Sequence, residues 1–420
     1  MNPHTGDAAG PVLTVDAAAI TANVAALHAH TGVDVMAVVK ADGFGHGATT
    51  TARAALAGGA TWLGVTSVAE ALALRADGID APILSWLNPV GADLAPALAA
   101  GIDLAVPSLP HLDAVVRAAL SATTERPARV HLYLDCGPAR DGAAWSDWPA
   151  LCAAASRAQR AGLLHVIGVM GHLSCADDPQ HEANRWGRQR FARGVVVARA
   201  AGLTPRHRHL AATAAALAEP RARHTMVRIG AGLYGIDYGL GATAGRPVLR
   251  GAATLTAPVV AVRDVATGTP VGYGGTWTAP AATRLALLPL GYADGVPRAA
   301  SASGEVLLHG RRCRVAGRVS MDQTVVDVGD LPVGPGDVAT VFGPTGGPAP
   351  DLRDWARWAG TIEHEIVTGL GPRIARATAS TTASQAATTT ATPLTTPVPP
   401  RRAARLVPTI GAPGVTHRSA

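Results

Sequence analysis

Between residue 12 and about residue 236, short apolar runs alternate with longer, alanine-rich stretches of helical character, and this alternation limits the possible folds more than any other feature. Eight runs read as strands, at 35–40, 62–65, 82–86, 103–106, 130–135, 166–172, 209–212 and 226–230. Near-continuous apolar runs suit parallel strands buried on both faces, with the intervening helices as crossovers. The pattern predicts an α/β segment, a closed (β/α)8 barrel of the TIM type over residues 12–240, in which reactive groups gather at the C-terminal ends of the strands.

Past the glycine-rich stretch near residue 240 the character changes. The segments 257–262, 284–290, 306–309, 314–319 and 324–328 are short, β-rich and bounded by Gly, Pro and Asp, which predicts a mostly β C-terminal domain over 241–376. Residues 377–420 are Thr, Ala and Pro with few large apolar side chains, the composition of a disordered tail.

With 48% hydrophobic and 16% charged residues, the chain can bury a core for both domains. A net charge of +6 permits nucleic-acid binding, but the arginines are scattered and no basic run is interleaved with aromatics, which argues against it. Cys136, Cys152, Cys175 and Cys313 lack metal-ligand or paired spacing, so neither a metal site nor a disulfide framework is expected. No apolar run reaches membrane-spanning length and the first ten residues lack a secretory pattern; no membrane association and a cytoplasmic location are the expectation.

Among the 36 Lys and Arg residues, Lys40 is the only lysine. It ends the first apolar run and precedes Gly43, Gly45 and Gly47, which read as a loop at a strand mouth. A guanidinium cannot form a Schiff base with an aldehyde, so an amine retained there points to covalent chemistry; the alternative is an ordinary snorkelling side chain.

The stretch Val38-Val39-Lys40-Ala41-Asp42-Gly43-Phe44-Gly45-His46-Gly47 resembles the cofactor-lysine motif of the alanine racemases, enzymes that carry pyridoxal 5'-phosphate on a barrel followed by a β domain. The resemblance runs in the family's order from about residue 12 to 376 and implies an amino-acid racemase, most simply of alanine, working as a homodimer on a small amino acid. In the racemase-like run Arg228 to Gly235, the resemblance gives Gly230 and Ala231 the cofactor phosphate and Arg228 the pyridine nitrogen. His172 would pack on the cofactor ring, His209 would support the arginine, and the Thr213 hydroxyl would bind phosphate. Arg140 would reach the substrate carboxylate. Lys40 and Tyr273 of the partner subunit would serve as bases on opposite faces, with Tyr292, Met321 and Asp322 bordering the substrate pocket.

Several positions depart from the family: Pro138 and Ala139 stand beside Arg140 where the resemblance expects Met and Gly, and three more bear on the site. Phe44 and His364 stand where phosphate-binding tyrosines are expected, and Tyr133 stands where many members carry a carbamylated lysine beside the arginine. A protonated His364 would replace a lost hydroxyl, giving cofactor retention that weakens as pH rises, while the change at Tyr133 would loosen the carboxylate site. A racemase of serine or of a broader set of amino acids, and a non-catalytic pyridoxal-phosphate carrier, are the alternative readings; a barrel-plus-β decarboxylase would need cysteine and acidic signatures absent from the second domain.

Overall fold

The computed structural model describes residues 10–121, 126–240 and 245–379. After β1 (Val12–Val15), eight strands form one parallel sheet: β2 (Asp34–Val38), β3 (Trp62–Val65), β4 (Ile83–Ser85), β5 (Asp103–Val106), β6 (Ala128–Tyr133), β7 (Leu164–Met170), β8 (His207–His209) and β9 (Met226–Ile229). Their order, β8-β7-β6-β5-β4-β3-β2-β9, follows the chain with the last strand beside the first. The circle closes between β8 and β9 through irregular bonds, Arg228 N to Ala211 O at 2.9 Å and Arg208 N to Thr225 Oγ1 at 2.7 Å, which completes the expected barrel. Met36, Trp62, Leu84, Ile167, Met170 and Met226, from five of these strands, pack in one apolar cluster.

Three strands lie a few residues from where apolarity alone puts them; the one expected at 257–262 straddles the break between the strands Ala253–Pro258 and Ala261–Val265. The seventh barrel strand is His207–His209, not 209–212; its His-Arg-His composition is polar, and 210–212 turns instead into the helix Thr213–Ala218. In the β region, the expected strand at 314–319 is instead Arg311–Arg314, followed only by an isolated bridge from Val315 to Val326.

The β region has ten strands: β10 (Ala253–Pro258), β11 (Ala261–Val265), β12 (Pro270–Val271), β13 (Trp277–Thr278), β14 (Thr283–Leu288), β15 (Glu305–Leu308), β16 (Arg311–Arg314), β17 (Thr324–Asp327), β18 (Val338–Phe342) and β19 (Ala375–Thr378). The larger sheet, β16-β15-β18-β10-β1-β19, recruits the first strand of the chain, antiparallel to β10 and parallel to β19. Ala377 and Thr378 thus belong to a strand, while the rest of the stretch read as a tail, from residue 380 on, lies outside the described residues.

One contact brings this region to the barrel mouth. Gly45, at φ +79°, has no room for a side chain, because a Cβ there would lie 2.5 Å from Val367 O. The bare backbone lets the helix Glu363–Thr368 sit directly on the turn that carries Lys40.

Candidate active site

The barrel strand before Lys40 stops at Val38, and the chain then winds the wrong way. Ala41, Asp42, Gly43 and Phe44 have φ of 52°, 52°, 60° and 54°, a left-handed turn that costs about 1–2 kcal/mol per non-glycine residue. Hydrogen bonds offset that cost. Glu70 Oε1 accepts from Ala41 N at 2.7 Å, Asp42 Oδ1 from Ala48 N at 2.8 Å, and His46 Nδ1 lies 2.9 Å and 3.1 Å from the carbonyls of Phe44 and Gly43. His46 is stacked on Tyr234 with ring centres 4.2 Å apart. The turn directs Lys40 Nζ to 6.0 Å from the Trp86 ring. Burial, and then Arg140, lower the amine's pKa against the pull of Glu70, favouring the neutral nucleophile.

The amine opens on a cavity of about 450 Å³ at the C-terminal ends of the strands. Lys40, Arg140 and Arg228 all line it, and no carboxylate does, among the described residues. Two guanidiniums and an amine, with no carboxylate lining the same cavity, suit a dianionic ligand together with a carboxylate.

Arg228, on β9, is 5% exposed. Its Nη1 donates to His209 O at 2.7 Å and lies 3.0 Å from His209 Nδ1; its Nη2 donates to Gly171 O at 2.6 Å and lies 3.1 Å from His172 Nδ1. Burial lowers the guanidinium to about 10, leaving it charged near neutrality. The same burial, with Arg228 and Arg140 beside it, holds His172 down to about 3, and burial with His131 nearby depresses His209 well below its ordinary value. Both imidazoles are therefore neutral, and each offers Nδ1 as an acceptor to the guanidinium. His172 lines the cavity; His209 is fully buried and acts on it through Arg228.

At the other end of the cavity the buried Thr213 Oγ1 accepts from Gly230 N at 3.3 Å and Gly232 N at 3.2 Å. A Cβ at Gly230 would sit tightly against the Phe44 ring, at 3.0 Å. Thr213, Gly230 and Ala231 all line the cavity, a hydroxyl and bare backbone of the kind that cradles phosphate. Phe44 contributes only its ring, 5.0 Å from that of Tyr234. His364 reaches the cavity from the helix Glu363–Thr368, with Nε2 3.1 Å from the Tyr238 hydroxyl. Its surroundings do not favour the cation expected from the sequence, because burial comes first among the influences and lowers its pKa.

Arg140 is exposed on the loop after β6 and lines the cavity, with the buried phenol of Tyr133. Burial raises that phenol's pKa, against the opposing pull of Arg228. The remaining four candidates lie elsewhere. Tyr273, 69% exposed, begins a short turn beside Gly272, and Tyr292 and Met321 are 43% and 53% exposed. Bonds from Tyr292 N to Ser320 O and from Ala293 N to Met321 O, both 3.0 Å, tie these two loops together. Asp322 pairs with Arg373, which also holds the buried Asp294. None of the four lines the cavity of its own chain.

Three residues that sequence reading passed over belong here. Glu70 caps both the turn and the start of its own helix, Val68–Ala76, and its Ser67-x-x-Glu70 capping box is legible in the sequence. Trp86, just past β4, faces the amine. Tyr238 lines the cavity from a left-handed backbone position, φ 57°, and nothing local distinguishes it.

This arrangement has close counterparts. A family model described as "Alanine racemase, N-terminal domain" matches residues 15–238, and one described as "Alanine racemase, C-terminal domain" matches residues 252–378. The alanine racemase of Thermobifida fusca is 48% identical over 86% of this chain and 96% of its own length, and that of Salinispora arenicola is 48% identical over 85% and 95%. The crystal structure of alanine racemase from D-cycloserine-producing Streptomyces lavendulae superposes with a TM-score of 0.86 at 40% identity, covering 89% of this chain and 98% of that one. That of Bartonella henselae, with covalently bound pyridoxal phosphate, gives 0.77 at 26%, covering 89% and 100%. The chain belongs to the alanine racemase family.

Proposed function

We propose that this pyridoxal-phosphate-dependent racemase interconverts L- and D-alanine with two bases, Lys40 and Tyr273 of the partner subunit. When bound, the cofactor supplies an electron sink for ionisation of the amino acid's Cα–H bond. The residues present fit it: a reactive amine, a bare-backbone cradle, a buried guanidinium and a cavity of cations.

In this reading Lys40 would hold the cofactor through its amine, and Thr213, Gly230 and Ala231 would hold its phosphate. Arg228 would serve the ring nitrogen, His172 the ring, and Arg140 would receive the substrate carboxylate. His209 keeps Arg228 oriented. His364 belongs to the phosphate end, acting through Tyr238. With substrate in the site, the Lys40 amine would take or return the Cα proton on one face. The phenol of Tyr273 of the partner subunit does so on the other, and proton removal from one face with return to the opposite face inverts the centre.

Support for a shared site comes from exposure. Tyr273, Tyr292 and Met321 are large exposed side chains on a β region whose own-chain cavity they do not enter. In a homodimer they and Asp322 would border the partner's pocket. No helix among the described residues is long and apolar enough to cross a membrane, and we place the reaction in the cytoplasm.

The observation that carries the reading is the chain's one lysine, half-buried beside Arg228 and Arg140 in a cavity without carboxylates. Incubation of the pure protein with L-alanine in D2O tests it: Cα deuteration together with D-alanine is expected. Cofactor binding without either would favour a carrier, and faster turnover of L-serine than of L-alanine would favour a racemase of another range.

A further inference from the structure

The hydrogen-bonded chain at Arg228 does not stop at His209. His209 Nε2 lies 2.8 Å from Nδ1 of His131, which is fully buried on β6. His131 Nε2 in turn lies 3.8 Å from Oδ2 of Asp103, 1% exposed at the start of β5, whose carboxylate is anchored by Arg129 Nε at 2.8 Å. Arg129, His131 and Tyr133 alternate along β6 on the face that ends at the cavity. The line therefore runs from the entry side of the barrel to the guanidinium at its mouth.

The fold makes room for it. A Cβ on Gly168 of the adjacent strand would lie 2.1 Å from His131 Nδ1, so only glycine is accommodated opposite that ring. The pairing of β6 with β7 shifts register between Val130 and His131, where His131 comes to face Gly168.

The direction of the chain follows from its ends. A guanidinium only donates, so His209 Nδ1 must accept. The His209 proton then sits on Nε2 and is given to His131 Nδ1, leaving the His131 proton on Nε2, which makes no hydrogen bond but faces the Asp103 carboxylate at 3.8 Å, an electrostatic contact. We propose that His131 and Asp103 are positioning residues for Arg228: they set the polarity of this chain so that His209 always presents an acceptor to the guanidinium. Reversed, His209 would place an N–H against an N–H, and Arg228 Nη1 would lose one of its two acceptors, keeping only His209 O. The consequence for turnover rests on Arg228 facing the cofactor, but the proton arrangement does not.

Nitrogen-15 correlation of the histidine rings in the cofactor-free wild-type protein tests the arrangement without reference to activity. It should show neutral His209 and His131, each protonated at Nε2. A proton on Nδ1 of either ring, or a doubly protonated His131, overturns the proposal. In the loaded enzyme, His131→Leu should lower kcat about tenfold with KM changed less than about twofold, and His131→Gln, which can accept and donate in the same direction, should recover most of the loss. A His131→Leu protein that is merely less stable, with kcat intact, would assign His131 to packing and also overturn it. If His131→Leu fails to fold, the ring spectrum of the wild type and the Gln variant still decide. Failure of the racemase reading itself would leave the spectrum as expected but turnover absent in the wild type.

Discussion

Tyr238 and His364 are 126 residues apart in the chain, and the phenol oxygen of one lies 3.1 Å from Nε2 of the other at the rim of the cavity. Burial, with Glu363 and Asp177 nearby, pushes the phenol up to about 12, so it keeps its proton. Burial lowers His364, which is neutral near neutrality, and its Nδ1 is buried without a hydrogen-bond partner. The arrangement that leaves no buried donor unmet has the His364 proton on Nε2, given to the phenol oxygen, and the phenol proton free for an anion.

From this, Tyr238→Phe should weaken pyridoxal-phosphate affinity by about one to two decades, the value of a hydrogen bond to an ionised group, about 1.5–3 kcal/mol. Wild-type affinity should be flat from about pH 7 to 9 apart from titration of the cofactor itself. Fluorescence titration of the cofactor-free protein measures both. A wild-type affinity that falls through that range would restore His364 as a cationic ligand in its own right.

Lys40 stands between cations and a low-dielectric wall, so its amine is deprotonated more readily than a surface lysine. Lys40→Arg keeps the charge but cannot attach an aldehyde, and it should lose at least ~10³-fold in racemisation. Borohydride treatment of the loaded wild type should fix a pyridoxyl group on one peptide, that containing Lys40. Peptide mass analysis showing the label only at the amino terminus would remove Lys40 from its role.

How much of this was legible depended on whether the signal was local. The barrel followed from alternating apolar runs, and Lys40, Arg228, His172 and Thr213 fall where strands end. The strand at 207–209 was read two residues late because its His-Arg-His composition hides a buried pairing: Gly168 bonds in register with His207, and Met170 with His209. The edge strand Arg311–Arg314 was missed for a like reason, three arginines facing outward around one buried cysteine. Tyr238 carried no sequence signal at all, since its partner arrives from a helix far along the chain. The neutral state of His364 was equally hidden, because burial, not residue type, lowers its pKa.

Tyr273 is exposed and absent from the cavity of its own chain, so chains disabled at different bases should complement each other. Lys40→Ala and Tyr273→Phe are each expected to be inactive or nearly so. Equal mixing with subunit exchange yields heterodimers in which one of the two sites has both bases, so about a quarter of wild-type activity should return. Exchange verified by mass spectrometry without any return of activity would show that both bases of a site come from one chain.

Acid should release the turn that carries Lys40 before other carboxylate-linked losses are complete. Burial lowers His46 to about 4, against the raising effect of the Phe44 and Gly43 carbonyls, and the ring stacks on Tyr234 with its Nε2 buried and without a partner. Because the folded pKa lies below the ordinary value of 6.5, the unfolded chain takes up the proton first as pH falls. The stability linked to His46 is therefore whole above about pH 6.5 and is lost progressively down to about pH 4, amounting to about 3 kcal/mol. His172, held to about 3, and His209 add losses of the same sign over the same range and below it. Urea unfolding at a series of pH values should show a constant midpoint from about pH 7 to 9 and a decline below about 6.5. His46→Asn should be less stable near neutrality and decline less steeply with acid. Equal slopes for the two proteins between about pH 6.5 and 4 would mean that His46 is protonated in the folded state and does not govern the acid sensitivity of the turn.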